Sequence, residues 1–347
     1  MRKLVDEARR GSIRAASRLI SLLEDDPCRL CELFSEFTTW PQARLTVGIT
    51  GPPGCGKSTL INVLILLWRQ REPAGRVGVL AVDPCSPYSG GAVLGDRVRM
   101  MNHSDDDRVF IRSLSTRGHV GGLTAGIRGS LRVMGLAGCD VVLLETVGVG
   151  QSENEVAGVA DLVCVVLAPG QGDSVQLMKA GLLESADIFV INKSDRPGAD
   201  RLYAQLGEEL GTGRAGRRAP AIFKVSGLNL QGITELVDGI EQRARQLSDE
   251  LVRRRDEALA CEVWSTIGWT IRRLIDRVLA DSRLADDAAS RILSGEATVP
   301  ALIAELLEQA IAGLRVPKFQ QPGLPGGSNG EPSPGRLTSA RSLGSTP

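Results

Sequence analysis

The sequence predicts an α/β protein with a doubly wound, mainly parallel sheet and helical extensions at its N- and C-terminal ends. Short apolar runs alternate with longer helical stretches through the middle of the chain, as in α/β folds. Most of these runs are continuously apolar, which is typical of strands that helices cover on both faces. A G-x-x-x-x-G-K-S motif and a helical stretch follow the first run. Together these features indicate a P-loop NTPase.

The sheet domain is predicted to occupy residues 43–245, after an N-terminal helical extension over residues 1–42. The extension has apolar residues at helical spacing between Ile13 and Leu23. The domain itself contains the strand candidates, which are short runs rich in β-branched residues. They are Leu45–Thr50, Val77–Val82, Val109–Leu114, Val141–Leu144, Leu162–Leu167, Ile188–Ile191 and Ala221–Val225.

The C-terminal part of the chain has a different pattern. Residues 246–316 are predicted to be helical, with an apolar stripe from Trp264 to Val278 and a second helix that begins near Val299. Residues 317–347 are rich in Gly, Pro and Ser and lack apolar periodicity. We therefore expect the last segment to be a disordered tail.

The composition excludes several classes of protein. The 347 residues include 41 Lys and Arg against 41 Asp and Glu, so no global field attracts the chain to nucleic acid or to an anionic membrane. No apolar run approaches the roughly 20 residues that span a bilayer. The N-terminal segment is charged and lacks the apolar stretch of a secretion signal. We expect a cytoplasmic protein, although a matrix protein without its transit peptide would look the same.

The cysteine pattern also fits a reducing compartment. The chain has 7 cysteines, an odd number scattered through apolar strands and loops. Cys28 and Cys31 form a C-x-x-C, the spacing of half a zinc site or of a redox pair. The only histidines, His103 and His119, lie far downstream. We interpret the cysteine pair as packed or incidental helix residues, with metal or redox chemistry as the alternative.

The G-x-x-x-x-G-K-S motif predicts a phosphate-binding loop. Its glycines let the chain wrap around phosphate without Cβ clashes, and the helix that follows adds partial positive charge. Lys57 is expected to reach the β- and γ-phosphates, and the Ser58 hydroxyl is expected to ligate Mg²⁺. The nucleotide-binding residues predicted in and beside the loop are Gly51, Pro52, Pro53, Gly54, Cys55, Gly56, Lys57, Ser58 and Thr59.

A second motif selects the base. The strand candidate Ile188–Ile191 ends in Asn192-Lys193-Ser194-Asp195, the N-K-x-D pattern of guanine-binding proteins. The Asp195 carboxylate can accept hydrogen bonds from the guanine N1–H and exocyclic amine, whereas adenine would leave it unpaired. Such pairing discriminates by roughly 10⁴ or more. We expect Lys193 over the base plane and Asn192 against the phosphate loop, so the sequence predicts GTP as the ligand.

A carboxylate and a glycine after the strand candidate Val141–Leu144 predict a γ-phosphate sensor. Glu145 and Gly148 have the D-x-x-G spacing of the switch II loop of GTPases, with Glu in place of Asp. We expect the longer Glu145 side chain to act on Mg²⁺ through a metal-bound water, and the Gly148 N–H to sense the γ-phosphate. Gln151 is a candidate to orient the attacking water, or else an exposed structural glutamine.

Two further carboxylates flank a glycine-rich stretch after the strand candidate Val77–Val82. Asp83 follows the strand directly, and Asp96 lies beyond the glycines. A switch I that closes on Mg²⁺ requires carboxylates in such places, whereas a turn and a helix cap are the structural alternative. The predicted catalytic residues are Lys57, Asp83, Glu145 and Gln151, and the predicted Mg²⁺ ligands are Ser58, Asp83, Asp96 and Glu145.

These motifs jointly resemble one family, the MeaB/ArgK GTPases, also called methylmalonyl-CoA mutase-associated GTPases and, in bacteria, LAO/AO transport-system kinases. The resemblance covers roughly residues 45 to 200, with weaker similarity in the flanking helices. It rests on G-P-P-G-C-G-K-S-T-L, A-V-D-P-C-S-P-Y-S-G-G-A-V-L-G-D-R-V-R-M, S-T-R-G-H-V-G-G-L, E-T-V-G-V-G-Q-S-E, P-G-Q-G-D-S-V-Q-L-M-K-A-G and N-K-S-D-R-P-G-A-D.

The resemblance implies a Mg²⁺-dependent GTP hydrolase that acts as a G-protein chaperone. Its partner would be an adenosylcobalamin-dependent acyl-CoA mutase such as methylmalonyl-CoA mutase, whose cofactor loading it gates and which it protects or reactivates. The resemblance also implies a homodimer, with the helical region 246–316 as the dimerisation region. The client is left open among methylmalonyl-, ethylmalonyl- and isobutyryl-CoA mutases.

Further residues acquire roles only through the resemblance. Ser226, Gly227 and Leu228 match a base-binding S-A-L turn, with Gly in place of Ala, which keeps a backbone contact to the guanine O6 possible. Residues 171–181 match an additional switch that relays the nucleotide state to the mutase. Lys179 within it is a candidate partner contact, or merely a solvated helix lysine.

The sequence shows no obvious arginine that would neutralise transition-state charge in phosphoryl transfer. The candidates are Arg97, Arg99, Arg112, Arg117 and Arg128, although most arginines at such spacing are surface charge. We therefore expect slow intrinsic hydrolysis that accelerates when the mutase orders the switches.

Two other functions are consistent with the P-loop class. A metallochaperone GTPase would need metal ligands near the switches, for which Cys85, His103 and His119 form a thin set. A protein kinase is the other alternative, although the N-K-S-D motif and the lack of a phosphoacceptor-binding signature argue against it.

Overall fold

The computed structural model describes residues 1–26, 29, 33, 41–83, 103, 105–115, 122–146, 158–170, 186–211, 219–279 and 290–312. In these residues a sheet of 7 strands forms the centre of the molecule, in the order β3-β2-β4-β1-β5-β6-β7. The strands are β1 (Leu45–Thr50), β2 (Val77–Asp83), β3 (Val109–Ser115), β4 (Val141–Thr146), β5 (Leu162–Leu167), β6 (Ile188–Ile191) and β7 (Ala221–Lys224). Neighbouring strands pair in parallel. The predicted α/β fold is confirmed.

The strand bounds agree with the sequence prediction at β1, β5 and β6, and differ elsewhere by one or two residues. β2, β3 and β4 each continue beyond the predicted apolar run. Ala81 of β2 is still paired with Glu145, and Val82 with Thr146, because backbone pairing does not require an apolar side chain. β7 ends at Lys224, one residue earlier than predicted.

Helices cover both faces of this sheet. They are α1 (Arg2–Arg9), α2 (Ile13–Asp25), α3 (Lys57–Arg71), α4 (Gly122–Leu136), α5 (Ala199–Gly211), α6 (Ile233–Gln246), α7 (Ser248–Leu279) and α8 (Val299–Ala312). None of the helices in the described part of the chain is both long and apolar enough to cross a membrane.

Side-chain alternation along the strands divides the core into two layers. In β4, Val142 and Leu144 pack with α2, α4 and α5, whereas Val141 and Leu143 pack with α3 and α6. The N-terminal helices therefore share a core with the sheet. Arg112 of β3 adds a polar tie to this layer, donating to Ser21 Oγ at 2.9 Å and to Glu24 Oε2 at 2.7 Å.

Two buried aspartates at the amino edge of the sheet bind α7. Asp161, just before β5, accepts from the Thr46 N–H at 2.7 Å and from Arg255 Nε and Nη2 at 2.6 and 2.5 Å. Asp187, just before β6, accepts from the Val163 N–H at 3.0 Å and from Arg254 at 3.3 Å. Hydrogen bonding to Asp161 raises the pKa of Arg255. These contacts fix the first half of α7 on the sheet.

The outer face of α7 carries exposed apolar side chains. Trp264 is 72% exposed, and Ile267 and Ile271 are also exposed. These residues belong to the apolar stripe predicted from Trp264 onwards, whose remaining side chains lie outside the described residues. The cysteines Cys28 and Cys31 and the tail 317–347 also lie outside the described residues.

Candidate nucleotide-binding site

The G-x-x-x-x-G-K-S loop lies at the carboxyl edge of the sheet, between the central strand β1 and α3. Gly51 has φ +142°, and a Cβ on it would lie 2.1 Å from the Val166 carbonyl oxygen, so the loop packs directly on β5. Gly54 and Gly56 also have positive φ, at +79° and +93°. α3 begins at Lys57, so the loop runs into a helix N-terminus whose first N–H groups have no partner within the helix. This is the geometry of an anion site.

The Lys57 side chain lies across its own loop. It is buried, and its Nζ donates to the Gly51 carbonyl at 2.7 Å and to the Pro52 carbonyl at 3.2 Å. The neighbouring Cys55 side chain is buried beneath the loop, and this burial raises the pKa of its thiol. The ammonium group is therefore held where the predicted phosphates would bind, while the thiol stays protonated and apolar.

Ser58 and Glu145 meet between α3 and the end of β4. The Ser58 hydroxyl donates to Glu145 Oε1 at 2.8 Å, and the Glu145 side chain is only 5% exposed. A hydroxyl and a carboxylate are hard oxygen donors of the kind that Mg²⁺ prefers, beside phosphate oxygens and water. The residues present thus fit a Mg²⁺ ion. Glu145 contacts Ser58 directly through this hydrogen bond.

Other predicted ligands and sensors fall at the limits of the described residues. Asp83 is the last residue of β2, where its backbone is paired with Ser115 of β3, but its side chain lies outside the described residues. Asp96, Gly148 and Gln151 also lie outside them, as do Cys85, His119 and the segment 171–181 with Lys179. Among the side chains that are described, no group of three His, Cys, Asp or Glu residues could hold a metal ion.

Asn192 joins the phosphate loop to the two loops that follow β6 and β7. Its Nδ2 donates to the Cys55 carbonyl at 2.9 Å and approaches the Gly56 carbonyl at 3.4 Å. Its Oδ1 accepts from the Lys193 N–H at 2.8 Å and from the Gly227 N–H at 3.1 Å. A Cβ on Gly56 would lie 2.5 Å from Asn192 Nδ2, so glycine is required for this contact. The contact with the loop that we predicted for Asn192 is present.

Lys193 and Asp195 follow Asn192 in the same turn. Lys193 has φ +57°, in the left-handed region, and its Nζ donates to the Gly54 carbonyl at 2.6 Å. A hydrogen bond from the Ser226 side chain holds the pKa of the exposed Asp195 carboxyl below its usual range. Asp195 is therefore a carboxylate at neutral pH, as acceptance from a guanine edge requires.

The turn after β7 lies beside this carboxylate. The Gly227 N–H, which we expected to contact a guanine O6, donates instead to Asn192 Oδ1. A base contact from Gly227 would have to share or replace that bond. The Leu228 side chain is 83% exposed.

Sequence reasoning missed a pair of threonines below the phosphate loop. The Thr146 hydroxyl at the end of β4 donates to Thr50 Oγ1 at the end of β1, at 3.2 Å, and both side chains are buried. This bond ties together the two strands that carry the loop and Glu145. A hydroxyl residue at the last position of two adjacent parallel strands is the signal that could have revealed it.

Two of the arginines considered for transition-state charge point elsewhere. Arg112 binds α2 through Ser21 and Glu24. Arg128 donates to the Ala258 carbonyl of α7 at 3.1 Å and to the Gly158 carbonyl at 3.2 Å. Both arginines thus connect separate elements of the fold. The remaining candidates, Arg97, Arg99 and Arg117, lie outside the described residues.

Comparisons with known proteins show which proteins this chain resembles. A putative GTPase of Pyrococcus abyssi is 42% identical over 286 residues, which cover 79% of this chain and 87% of that protein. The mitochondrial methylmalonic aciduria type A homolog of Mus musculus is 38% identical over 230 residues, covering 64% of this chain and 54% of the mouse protein.

A solved structure and a family model extend the comparison. The crystal structure of a LAO/AO transport system kinase superposes with a TM-score of 0.61, at 24% identity, over 88% of this chain and 96% of that one; this likeness supports the fold alone. The family model of methylmalonyl Co-A mutase-associated GTPase MeaB matches residues 17–282. The chain therefore belongs to the MeaB family of methylmalonyl Co-A mutase-associated GTPases.

Proposed function

We propose that the protein binds GTP with Mg²⁺ at this site, hydrolyses it, and acts as a G-protein chaperone for an adenosylcobalamin-dependent acyl-CoA mutase. The observation that carries the nucleotide part is the bonding of Asn192. One side chain bonds both to the phosphate loop and to the turn beside Asp195, which supports assigning phosphate and base recognition to one site.

The chain's own residues account for most of the binding step. When phosphate enters the loop, Lys57 exchanges its bonds to the Gly51 and Pro52 carbonyls for phosphate oxygens, and the N–H groups at the start of α3 donate to them. Asp195 accepts from the guanine N1–H and amine, while Lys193 lies against the base. We assign nucleotide contacts to residues 51–58 of the loop and to Thr59. We also assign them to Ser226, Gly227 and Leu228 in the turn after β7.

The metal site of the proposal is centred on Ser58 and Glu145. Asp83 and Asp96 are proposed to complete it from the neighbouring loops, and Gly148 and Gln151 are proposed to sense the γ-phosphate and orient water. The bound Mg²⁺ would neutralise charge on the β- and γ-phosphates. The tight Ser58–Glu145 contact supports this assignment, because the carboxylate keeps the hydroxyl oriented.

Hydrolysis is proposed to be slow without a partner. Phosphoryl transfer depends on positioning and charge neutralisation, and neither Arg112 nor Arg128 is directed at the loop. We expect the mutase to order the switch segments and so accelerate hydrolysis. Single-turnover rates that are equal with and without the mutase would contradict this step.

The partner and assembly belong to the same proposal. The family description names a mutase, and we propose that the protein gates loading of intact cofactor and reactivates the client. The exposed Trp264, Ile267 and Ile271 of α7 support dimerisation through the region 246–316. The division into an N-terminal extension, GTPase domain, dimerisation region and tail stays a prediction, as does the cytoplasmic location.

The experiment that tests the proposal is a cofactor-loading assay. Purified apo-mutase, adenosylcobalamin and this protein are mixed with GTP, with a non-hydrolysable GTP analogue or with ATP, and holo-mutase formation is followed by cobalamin absorbance. We expect loading that depends on GTP hydrolysis and is lost in Lys57→Ala. Loading that proceeds equally with ATP, or with no nucleotide, would contradict the proposal.

The metallochaperone and kinase alternatives have direct tests. Stoichiometric tight binding of nickel or zinc by the purified protein would favour the first, although the described residues contain no cluster for it. Transfer of labelled phosphate from nucleotide to a protein would favour the second.

A further inference from the structure

Helices α4 and α7 meet through two polar contacts in register. Arg128 Nη1 donates to the Ala258 carbonyl at 3.1 Å, and Arg132 Nη2 donates to Glu262 Oε2 at 3.2 Å. The two arginines are one turn apart on α4, and their two partners are one turn apart on α7. The helices therefore run side by side in the same sense over this turn, and a slip of either helix would break both contacts.

The Arg132–Glu262 pair is buried. The Glu262 side chain is 2% exposed and that of Arg132 is 13% exposed. Burial raises the pKa of Glu262 and lowers that of Arg132, although each favours the charged form of the other. An apolar pair of similar volume often serves stability as well as such an ion pair, whose best-attested use is to fix register. The pair is thus better suited to holding α4 and α7 in a defined register than to raising stability.

The interface also leaves room for movement. A cavity of about 60 Å³ lies between α4, α7 and the start of β1. Glu262, Arg132 and Arg128 line it, together with the Asp161–Arg255 pair that binds α7 to the sheet. The two arginines therefore border open space on one side and not only closely packed side chains.

The arginine-bearing helix α4 contacts the chain that leaves the γ-phosphate sensor of the proposed function. Arg128 Nη2 also donates to the Gly158 carbonyl at 3.2 Å, a few residues after the E-T-V-G-V-G-Q-S-E motif that begins with Glu145. A single side chain thus contacts α7 and the chain that leaves the Glu145 motif.

We propose that Arg128 and Arg132 are positioning residues that transmit the nucleotide state to α7. A shift of the chain at Gly158 displaces Arg128 and α4, and the contacts with Ala258 and Glu262 carry that shift to the middle of α7. The apolar side chains Val263 and Trp264 lie next to Glu262 on this helix and are exposed. The link therefore ends at a surface suited to another protein chain. The inference rests on the proposed GTP cycle and adds the route by which that cycle leaves the GTPase domain.

Hydrogen exchange of the full chain tests this route, with GDP or a non-hydrolysable GTP analogue bound. In the wild type we expect the amides of residues 258–266 to exchange at rates that differ at least about threefold between the two states. In Glu262→Gln and in Arg128→Met this difference is expected to disappear, while the nucleotide still protects the phosphate loop. The matched control is Glu250→Gln, which removes a partner of Arg254 on the same helix and should leave the difference intact.

The remaining outcomes separate the link from the proposed function. The charge-swapped double variant Arg132→Glu with Glu262→Arg is expected to restore a nucleotide-dependent difference, which a merely structural role would not require. If Glu262→Gln unfolds, Arg128→Met carries the test, because the described bonds of Arg128 go only to backbone carbonyls. A protected phosphate loop with no difference at 258–266 in the wild type would overturn the link alone. A loop that GTP does not protect would overturn the proposed function and the link together.

Discussion

The two edges of the sheet use the same kinds of polar residue in opposite ways. At the amino edge, Asp161 and Asp187 are buried, and each accepts from a strand N–H and from an arginine of α7. At the carboxyl edge, Lys57 and Lys193 bond only to carbonyls of the phosphate loop in the described contacts, and Asp195 is exposed. Charges at the first edge are matched by opposite charges, whereas those at the second are poised for a ligand.

This difference reflects where ligands bind in a parallel sheet. Ligands bind outside the carboxyl ends of the strands, so charges there are free to exchange partners. Charges at the amino ends are fixed by pairs that any exchange would break. Substitutions at the two edges should therefore separate activity from stability.

Lys57→Ala should affect activity far more than stability. Loss of a charge that stabilises the transferring phosphoryl group lowers the rate by about 10³-fold. Single-turnover GTP hydrolysis measures this effect. The matched control is Lys224→Ala, which removes an exposed lysine paired with Asp200 and should leave the rate unchanged. A comparable loss in both variants would show that the effect is not specific to the lysine of the phosphate loop.

Asp161→Asn should have the opposite effect. It leaves the partly buried Arg255 without its carboxylate, which costs about 3 kcal/mol in the free energy of unfolding. Urea denaturation measures this change, and GTP affinity of the folded protein should stay the same. Asp200→Asn is the control, because its pair with Lys224 is exposed and such pairs contribute little to stability. Equal stabilities of the two variants would show that the Asp161–Arg255 pair does not stabilise the fold.

Asp195→Asn should change which base is bound. The amide presents a donor where the carboxylate accepts, which suits the O2 of xanthine rather than the amine of guanine. We expect the ratio of GTP to XTP affinity to fall by about a hundredfold. Fluorescence competition with both nucleotides measures the ratio. Selectivity for GTP that survives the substitution would remove Asp195 from base recognition.

Thr146→Val should have the smallest effect. It removes the hydroxyl that donates to Thr50 at nearly constant volume, and about 1 kcal/mol of stability is expected to be lost. The reciprocal change Thr50→Val should cost about the same, and the double variant little more than either alone, because both remove one bond. Fully additive losses would show that the two hydroxyls act separately.

Sequence reasoning was most successful where the pattern is local. Short, mostly apolar runs rich in β-branched residues identified every strand of the described sheet, and the N-K-S-D motif predicted the contact of Asn192 with the phosphate loop. Strand ends such as Glu145 and Thr146 were missed, because polar residues there remain paired through their backbone.

Contacts between distant segments could not be predicted in this way. Nothing in the helical pattern of α7 indicates that Arg254 and Arg255 reach Asp187 and Asp161, which precede them by dozens of residues. For the same reason Arg128 was considered for transition-state charge, whereas it contacts the Ala258 carbonyl. An arginine reaches far enough to pair in several directions, so its partner is decided by the tertiary fold.

Calorimetric titration of the wild-type protein with GTP and with ATP, at constant Mg²⁺, tests directly whether the site selects guanine nucleotides. We expect GTP to bind with one site per chain and at least about 10⁴-fold more tightly than ATP, because adenine leaves Asp195 unpaired. ATP binding as tight as GTP binding would contradict the assignment of Asn192, Asp195 and the phosphate loop to one guanine nucleotide site.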